Sequence, residues 1–283
     1  MIGAQKEELI IKIILWIVSL ISVSSFFVIF LYMFINGSRV ISLEFLTTAP
    51  NPIFWTGGIF PQIIGSLYLV ALCTVIAAPL GILTAIYLSE YAVDNLITKI
   101  ARFFIVTLAG IPTIVIGLFG LAFLAYRLNL GISLFSAGVA LSFLTIPWTI
   151  TVSEEAMRAV PKEYREAALA LGATRWQTTW HIVLKTAAPW IMTGILLGIG
   201  KALGETTIPL MCGGSGLETF IPRSLFEPVG SLPVYTFIFA TQGNVSSAYD
   251  RAFGGSLVLI LMFLLISVSS LIIRNRYQKK MRT

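Results

Sequence analysis

Long stretches without a single charged residue recur along this chain, and they constrain its fold more than any other feature. The clearest extend over Ile13 to Ile35, Phe103 to Tyr126, Leu128 to Ser153 and Phe253 to Ile273. The interval from Phe45 to Ser89 is also uncharged, and its second half is apolar enough to cross a membrane. About 20 apolar residues cross a bilayer core of roughly 30 Å, and a buried core helix seldom needs that length. Several such runs in one chain predict an integral membrane protein.

The composition supports the lipid bilayer as the medium around most of this surface. Of the 283 residues, 57% are hydrophobic and only 11% are charged, whereas a soluble domain carries roughly a quarter charged residues. The net charge of +6 is spread over loops, so it does not predict a nucleic-acid partner. Cys73 and Cys212 lie far apart in or beside apolar segments, which predicts neither a disulfide framework nor a metal site.

The predicted fold class is all-α, a polytopic membrane protein with six transmembrane helices. The first apolar run is too long for an ordinary signal peptide and lacks a small-residue cleavage site, so we interpret it as a retained helix. The six spans are predicted at 12–35, 62–88, 103–126, 133–152, 189–211 and 253–273. The chain then divides into a first helix with the N-terminus, an external loop, a five-helix core that includes the loop 153–188, and a basic tail, over 1–36, 37–61, 62–273 and 274–283.

The basic residues predict which side of the membrane each loop occupies. Cytoplasmic loops carry an excess of Lys and Arg. If both termini are cytoplasmic, most of the basic residues fall on that side, and only four lie outside: Arg39, Arg127, Arg223 and Arg251. The predicted orientation therefore places both termini and the loop 153–188 in the cytoplasm.

One further uncharged segment, Pro228 to Tyr249, tests the count of six. It contains Pro233, Gln242, Gly243 and Asn244, which suit a membrane span poorly. A seventh span here would also move the basic tail outside. We therefore predict an external or re-entrant segment.

The loop 153–188 predicts a helical hairpin that projects from the membrane. Pro161 suits a helix start, and Gly172 suits the left-handed residue that ends one. Thr174 followed by Gln177 fits a capping box at the start of a second helix. Ala167 and Ala168 form a small patch that another protein surface could approach closely. The residues alone leave an ordinary solvated loop as an equal alternative.

The same loop resembles the EAA loop of ABC-importer permeases. The resemblance rests on Glu166-Ala167-Ala168, on Gly172 after three intervening residues, and on Ile182 and Leu184. It implies a type I-like importer fold with a cytoplasmic coupling hairpin docked on a separate ATPase. Glu166, Ala167, Ala168 and Gly172 would be the docking residues. ATP and magnesium would bind to the ATPase, and this chain would carry no cofactor.

Two charges inside the fifth predicted span are candidates for a substrate pathway. Lys201 and Glu205 stand four residues apart on one helical face and could pair with each other. A charge near the bilayer centre costs about 2.5–3.5 kcal/mol on insertion scales, so it normally faces a pathway or a partner. Thr206 and Thr207 add hydroxyl groups beside them. The alternatives are an anion pathway and an intramembrane ion pair that only fixes helix packing.

The sequence around these charges is similar to the permeases of phosphate-specific ABC importers, the PstA-type family. The stretch Gly204-Glu205-Thr206-Thr207-Ile208-Pro209-Leu210 carries the likeness, which extends over roughly residues 55–273. The family commonly has arginine where this chain has Lys201. The likeness implies a bacterial plasma-membrane permease that forms half of a phosphate pathway. The implied partners are an ATPase dimer, a second related permease and an extracytoplasmic phosphate-binding protein.

Three alternatives remain open at the level of sequence. A permease for another oxyanion, such as molybdate or sulfate, shares this architecture. A secondary transporter needs no ATPase, and a membrane scaffold transports nothing. The chain is not expected to be an enzyme, because Gly200-Lys201 lacks the glycine spacing of a phosphate-binding loop and Ala202 replaces its Ser or Thr.

Overall fold

The computed structural model describes the backbone of residues 2–242 and 246–282, and the side chains of residues 8–242 and 247–276. Gly243 and Asn244 lie outside the described residues. Within these ranges the chain is almost entirely helical. Its elements in chain order are α1 (Ile2–Ser38), α2 (Leu43–Thr47), β1 (Pro50–Asn51), β2 (Thr56–Gly57), α3 (Phe60–Ile86), α4 (Leu96–Ala109), α5 (Thr113–Phe119), α6 (Leu134–Arg158), α7 (Lys162–Ala170), α8 (Arg175–Thr178), α9 (Leu184–Leu203), α10 (Thr207–Cys212), α11 (Leu232–Thr241) and α12 (Ser246–Arg282).

Three π-helical turns extend these helices without breaking them. One lengthens α3 over Tyr87–Tyr91, one lengthens α5 over Gly120–Arg127, and one joins α8 to α9 over Thr179–Val183. The strands β1 and β2 form a small antiparallel pair. We call the end of the bundle that carries residues 159–174 the hairpin end, and the opposite end the loop end.

The structure agrees with six membrane crossings when one bent pair of helices is counted as a single crossing. Among the described residues, five helices are long and apolar enough to span a membrane: Glu8–Ser38, Phe60–Tyr91, Leu134–Arg158, Arg175–Leu203 and Ser247–Arg276. The bent pair is α4 and α5 with its π-helical extension. The observed fold class is therefore the all-α membrane bundle that the uncharged runs predict.

The third span, predicted over 103–126, is divided into two helices. Helix α4 ends at Gly110, α5 begins after Pro112, and the two helices meet at 99°. Pro112 has no backbone N–H to continue the helix, and its ring pushes the preceding residue out of the helical region. Helix α4 also begins earlier than predicted, at Leu96, where the Asn95 side chain caps it.

The fifth span also differs from the continuous helix predicted over 189–211. It begins much earlier, at Arg175, and ends at Leu203. Gly204 follows as the C-terminal cap, and the short helix α10 restarts at Thr207. The break therefore falls inside the segment that carries Glu205 and Thr206.

The segment 228–249 forms no seventh span within its described part. Helix α11 is apolar but has only ten residues, which is about 15 Å and half of a hydrocarbon core. Its Tyr235 and Phe239 are fully buried, with ring centroids 4.1 Å apart. The segment thus packs as a short helix against α12.

Small residues set the closest approaches between the central helices α3, α6 and α9. A Cβ atom at Gly81 of α3 would lie 2.6 Å from Thr149 of α6, and one at Gly194 of α9 would lie 2.6 Å from Val152 of α6. Such glycines allow helix backbones to pack closely in a membrane. Helix α1, in contrast, packs chiefly along α12, with the Tyr32 and Phe253 rings 5.5 Å apart.

Polar contacts close the loop end of the bundle. The buried Gln62 amide of α3 donates to the carbonyl oxygens of Gly216 and Glu218, at 3.1 and 2.9 Å. The Ser66 hydroxyl accepts a hydrogen bond from the Leu232 N–H at 2.8 Å. These bonds tie the start of the second span to the connection between α10 and α11.

We expect Gly65→Ala to destabilise this fold. A Cβ atom there would overlap the Gly230 carbonyl oxygen and lie 2.7 Å from Val229. Overpacking of this kind costs typically about 1–3 kcal/mol. The checks are the thermal midpoint and the amount of monodisperse protein in detergent. Gly110→Ala is the matched control, because its nearest neighbour would be 3.5 Å away; equal behaviour of both variants would contradict the prediction.

Candidate coupling hairpin and substrate pathway

The predicted hairpin is present, and the sequence signals that predicted it are confirmed. Helix α7 covers Lys162–Ala170, directly after Pro161. Gly172 has a φ of 85°, the left-handed conformation that glycine adopts freely. The Thr174 side chain accepts from the Gln177 N–H, and the Gln177 side chain accepts from the Thr174 N–H, so the capping box is complete. The turn is thus fixed by local chemistry.

The predicted docking residues lie together on the outer surface of this hairpin. Glu166 and Ala167 are exposed, Ala168 is half-buried, and no residue of α7 is buried. Ala167 and Ala168 line a shallow groove of about 670 Å³, and the Leu171 side chain at its rim is 89% exposed. The groove is therefore open on the side of the hairpin that faces away from the membrane helices' core, and its small residues leave room for another surface.

The second arm of the hairpin is not a separate helix, which corrects the prediction of two short helices. From Arg175 the chain continues through α8, the π-helical turn and α9 to Leu203 as one membrane-crossing helix. The hairpin is therefore built directly onto the fifth span. The π-helical turn Thr179–Val183 adds a residue to one helical turn, a feature often found at functional sites.

Charged residues at the hairpin end form contacts that sequence reasoning missed. The Arg165 guanidinium donates to both carboxylate oxygens of Glu90, from Nε at 3.0 Å and from Nη2 at 2.8 Å. Glu154 of α6 forms ion pairs with Arg102 at 2.6 Å and with Arg158 at 2.8 Å. A signal was available, because Glu90 is the first charge after the uncharged interval Phe45 to Ser89. These pairs join the hairpin to the ends of three membrane helices.

Lys201 does not pair with Glu205, so the possible ion pair between them is absent. The Lys201 ammonium instead lies over the Trp148 ring of α6, 4.6 Å from its centroid. The indole face attracts a cation within about 6 Å of its centroid. Lys201 lies on α9, whereas Glu205 lies beyond the end of this helix at Gly204, so the two side chains do not share a helical face. Lys201 is half-buried and Trp148 is exposed, so the charge remains available at the surface of this chain.

Glu205, Thr206 and Thr207 lie in the break of the fifth span. The Glu205 carboxylate accepts a hydrogen bond from the Thr207 N–H at 3.0 Å and so caps the start of α10. A carboxylate at a helix start is stabilising, because it faces unpaired N–H groups. Among the described side chains, the Thr206 and Thr207 hydroxyl groups form no hydrogen bond with the protein and are half-buried. Two hydroxyl donors therefore follow Lys201 by five and six positions in the chain, across the break.

Comparison with known proteins identifies the chain. Residues 77–283 match the family described as the inner membrane component of binding-protein-dependent transport systems. The chain belongs to this family. A relative from Bacillus subtilis, the probable ABC transporter permease protein YqgI, is 32% identical over 263 residues, which cover 89% of this chain and 90% of the relative. Membership in this family excludes two of the alternatives left open by the sequence, a secondary transporter and a membrane scaffold.

Two other relatives carry a more specific name. The probable phosphate transport system permease protein PstA of Methanocaldococcus jannaschii is 34% identical over 212 residues, covering 75% of this permease and 74% of the relative. The phosphate transport system permease protein PstA of Xylella fastidiosa is 33% identical over 245 residues, covering 85% and 84%. The predicted family resemblance is confirmed.

Solved structures share the fold of this permease. A bacterial alginate ABC transporter, solved with a periplasmic protein bound to alginate pentasaccharide, superimposes with a TM-score of 0.66 over 90% of this chain and 92% of that one. The MetNI methionine ABC transporter, in an inward-facing conformation, gives 0.59 over 78% and 94%. Both are 17% identical in sequence. The fold is therefore that of an ABC importer permease.

Proposed function

We propose that this permease is a membrane subunit of an ATP-driven importer of inorganic phosphate. The observation that carries the proposal is the set of relatives named PstA, which are about one-third identical over most of the chain. The chemistry of the fifth span agrees with this substrate class. Lys201 supplies a positive charge, and Thr206 and Thr207 supply hydroxyl donors, for an oxyanion that must bind weakly enough to leave.

The permease would form half of the pathway, and a second, related permease would form the other half. The exposed Trp148 supports this arrangement, because the Lys201 charge that it covers lies at the surface of the isolated chain. An isolated charge there would face lipid at a cost of about 2.5–3.5 kcal/mol. A partner permease over this face would enclose Lys201 in a pathway between the two subunits.

The groove beside Ala167 and Ala168 would seat an ATPase dimer, with Glu166 and Gly172 at the same contact. ATP and magnesium would bind on that dimer, which supplies the energy of transport. A phosphate-binding protein would dock at the loop end. With both termini in the cytoplasm of a bacterial cell, the hairpin end faces the ATPase and the loop end faces outward, as the distribution of basic residues favours.

Transport would follow from movement of the hairpin against the membrane helices. Closure of the ATPase dimer would push the hairpin and shift the spans to the outward-facing state. Phosphate released by the binding protein would then pass Lys201, whose charge offsets the loss of water from the anion. Glu205 would accept a hydrogen bond from a protonated phosphate oxygen while it continues to cap α10. ATP hydrolysis would reset the pathway.

Uptake of radiolabelled phosphate tests this function. Cells that carry the permease with its partners are expected to take up phosphate at low concentration, and cells without the chain are not. Excess sulfate or molybdate should leave this uptake unchanged. Competition by either anion would assign the permease to another oxyanion. Uptake that does not depend on the chain would overturn the assignment of phosphate, while docking of an ATPase on the hairpin would remain to be measured by co-purification.

A further inference from the structure

The first arm of the hairpin, α7, has little packing to hold it in place. None of its residues is buried, and its neighbours are chiefly the second arm of the same hairpin. Its two covalent connections are the short segments 159–161 and 171–174. A push on α7 would therefore move it alone unless some side chain ties it to the membrane helices.

Arg165 is the side chain of α7 that reaches those helices. It donates four hydrogen bonds of 3.0 Å or less: two to the Glu90 carboxylate, one to the Met157 carbonyl at 2.8 Å, and one to the Val160 carbonyl at 2.6 Å. Its side chain is 20% exposed and that of Glu90 is 11% exposed. The planar guanidinium matches a carboxylate at two points, a geometry that lysine does not reproduce.

Two of the residues that accept from Arg165, Glu90 and Met157, belong to different membrane helices. Glu90 lies in the π-helical turn Tyr87–Tyr91 that ends the second span, and the Ser89 hydroxyl donates to it at 2.9 Å. Met157 lies in the last turn of α6 and is fully buried. Arg165 thus joins the first arm to the hairpin end of the second span and to that of the fourth span at one point.

The neighbouring charges strengthen this junction. The Leu88 carbonyl oxygen accepts from Arg102 of α4 at 3.3 Å, and the same Arg102 pairs with Glu154 of α6. The second span, α4 and α6 are therefore linked to each other as well as to Arg165. A displacement of α7 that is carried through Arg165 would reach all three together.

We propose that Arg165 is a positioning residue that transmits movement of α7 to the second and fourth spans through Glu90 and the end of α6. The inference rests on the proposed function, in which an ATPase moves the hairpin. The second arm moves the fifth span directly because it is the same helix. The first arm needs the Arg165–Glu90 contact, and without it the hairpin would move the fifth span alone.

A spin label tests the anchoring of α7 without any transport measurement. The assembled importer carries the label either at position 163 of α7, in place of Glu163, or at position 175 of the second arm, in place of Arg175. Cys73 and Cys212 are replaced by alanine in both cases. We expect Arg165→Gln to increase the motion of the label at 163 severalfold and to leave the label at 175 unchanged. Lys162→Gln removes a neighbouring charge of α7 and is the matched control. Equal spectra for R165Q and K162Q at both positions would refute the anchor.

The transport test measures phosphate moved per ATP hydrolysed by the importer in vesicles. R165Q is expected to lower this ratio at least fivefold while the ATPase still co-purifies, and R165K to lower it less. K162Q should match the unaltered protein. Because Arg165 acts through Glu90, the double variant E90Q/R165Q should be no worse than R165Q. The proposal would be overturned if R165Q left the ratio of phosphate to ATP unchanged or lost the ATPase. It would also be overturned if the ratio in the double variant fell by the product of the two single effects.

These two measurements separate the inference from the proposed function. If the unaltered importer moves no phosphate, the substrate assignment fails, and the label at 163 still reports whether Arg165 holds α7. If the importer moves phosphate and both tests on R165Q give the result of K162Q, the function stands and the positioning role fails.

Discussion

Gly172→Val is expected to lower phosphate uptake by at least tenfold while the permease still inserts and accumulates in the membrane. Gly172 has a φ of 85° with no other atom within 4 Å of an added Cβ, so the effect is one of backbone conformation and not of space. A left-handed conformation costs an L-residue roughly 1–2 kcal/mol, and a β-branched side chain is a further handicap. The turn would open and move α7 away from the ATPase surface.

Gly131→Val is the matched control for this change. Gly131 has a φ of 70° and likewise nothing within 4 Å, but it lies at the loop end, before α6. It carries the same conformational strain far from the hairpin, and we expect it to keep most of the uptake. Uptake and ATPase co-purification are measured for both variants. If both glycines tolerate valine equally, the geometry of the hairpin turn does not decide coupling.

Lys201→Met is expected to lower phosphate uptake about ten- to hundredfold without lowering the amount of permease in the membrane. Methionine keeps most of the length and removes the charge over the Trp148 ring. A hydrogen bond to a charged group contributes about 1.5–3 kcal/mol, which corresponds to that range at roughly 1.4 kcal/mol per factor of ten. The loss should appear as weaker uptake at low phosphate concentration.

Lys201→Arg separates a role in the pathway from a role in packing. Arginine keeps the positive charge and also stacks on an aromatic ring, so we expect uptake to remain within severalfold of the unaltered protein. A purely structural lysine would give the opposite pattern. In that case Lys201→Met would reduce the amount of folded permease, and the protein that remained would transport normally.

Much of this fold follows from local patterns in the sequence. Most of the uncharged runs form membrane helices, because a helical backbone satisfies its own hydrogen bonds, which a lipid environment requires. The hairpin followed from Gly172 and from the Thr174 capping box, since both act within a few residues of themselves. Local chemistry of this kind is readable from the sequence because it needs no distant partner.

The features that sequence reasoning missed depend on residues far apart in the chain. Arg165 and Glu90 are separated by 75 positions, and nothing in either local pattern indicates that the ends of the second span and of the hairpin meet. The possible ion pair of Lys201 with Glu205 is absent from the structure for a related reason. It assumed a continuous helix through Gly204, whereas the helix ends there and Trp148, from a different span, supplies the partner.

The continuous helix from Arg175 to Leu203 has a mechanical consequence. Lys201 stands about 40 Å along the axis from Arg175 at 1.5 Å per residue, so the helix is a lever with the hairpin at one end and the lysine near the other. A tilt of about 10° around its midpoint would carry the two ends roughly 3.5 Å in opposite directions. The continuous helix ends at Gly204, so α10 and the loop end need not move with it. The width of the proposed pathway would then be set at Gly204, between the moving helix and the stationary loop end.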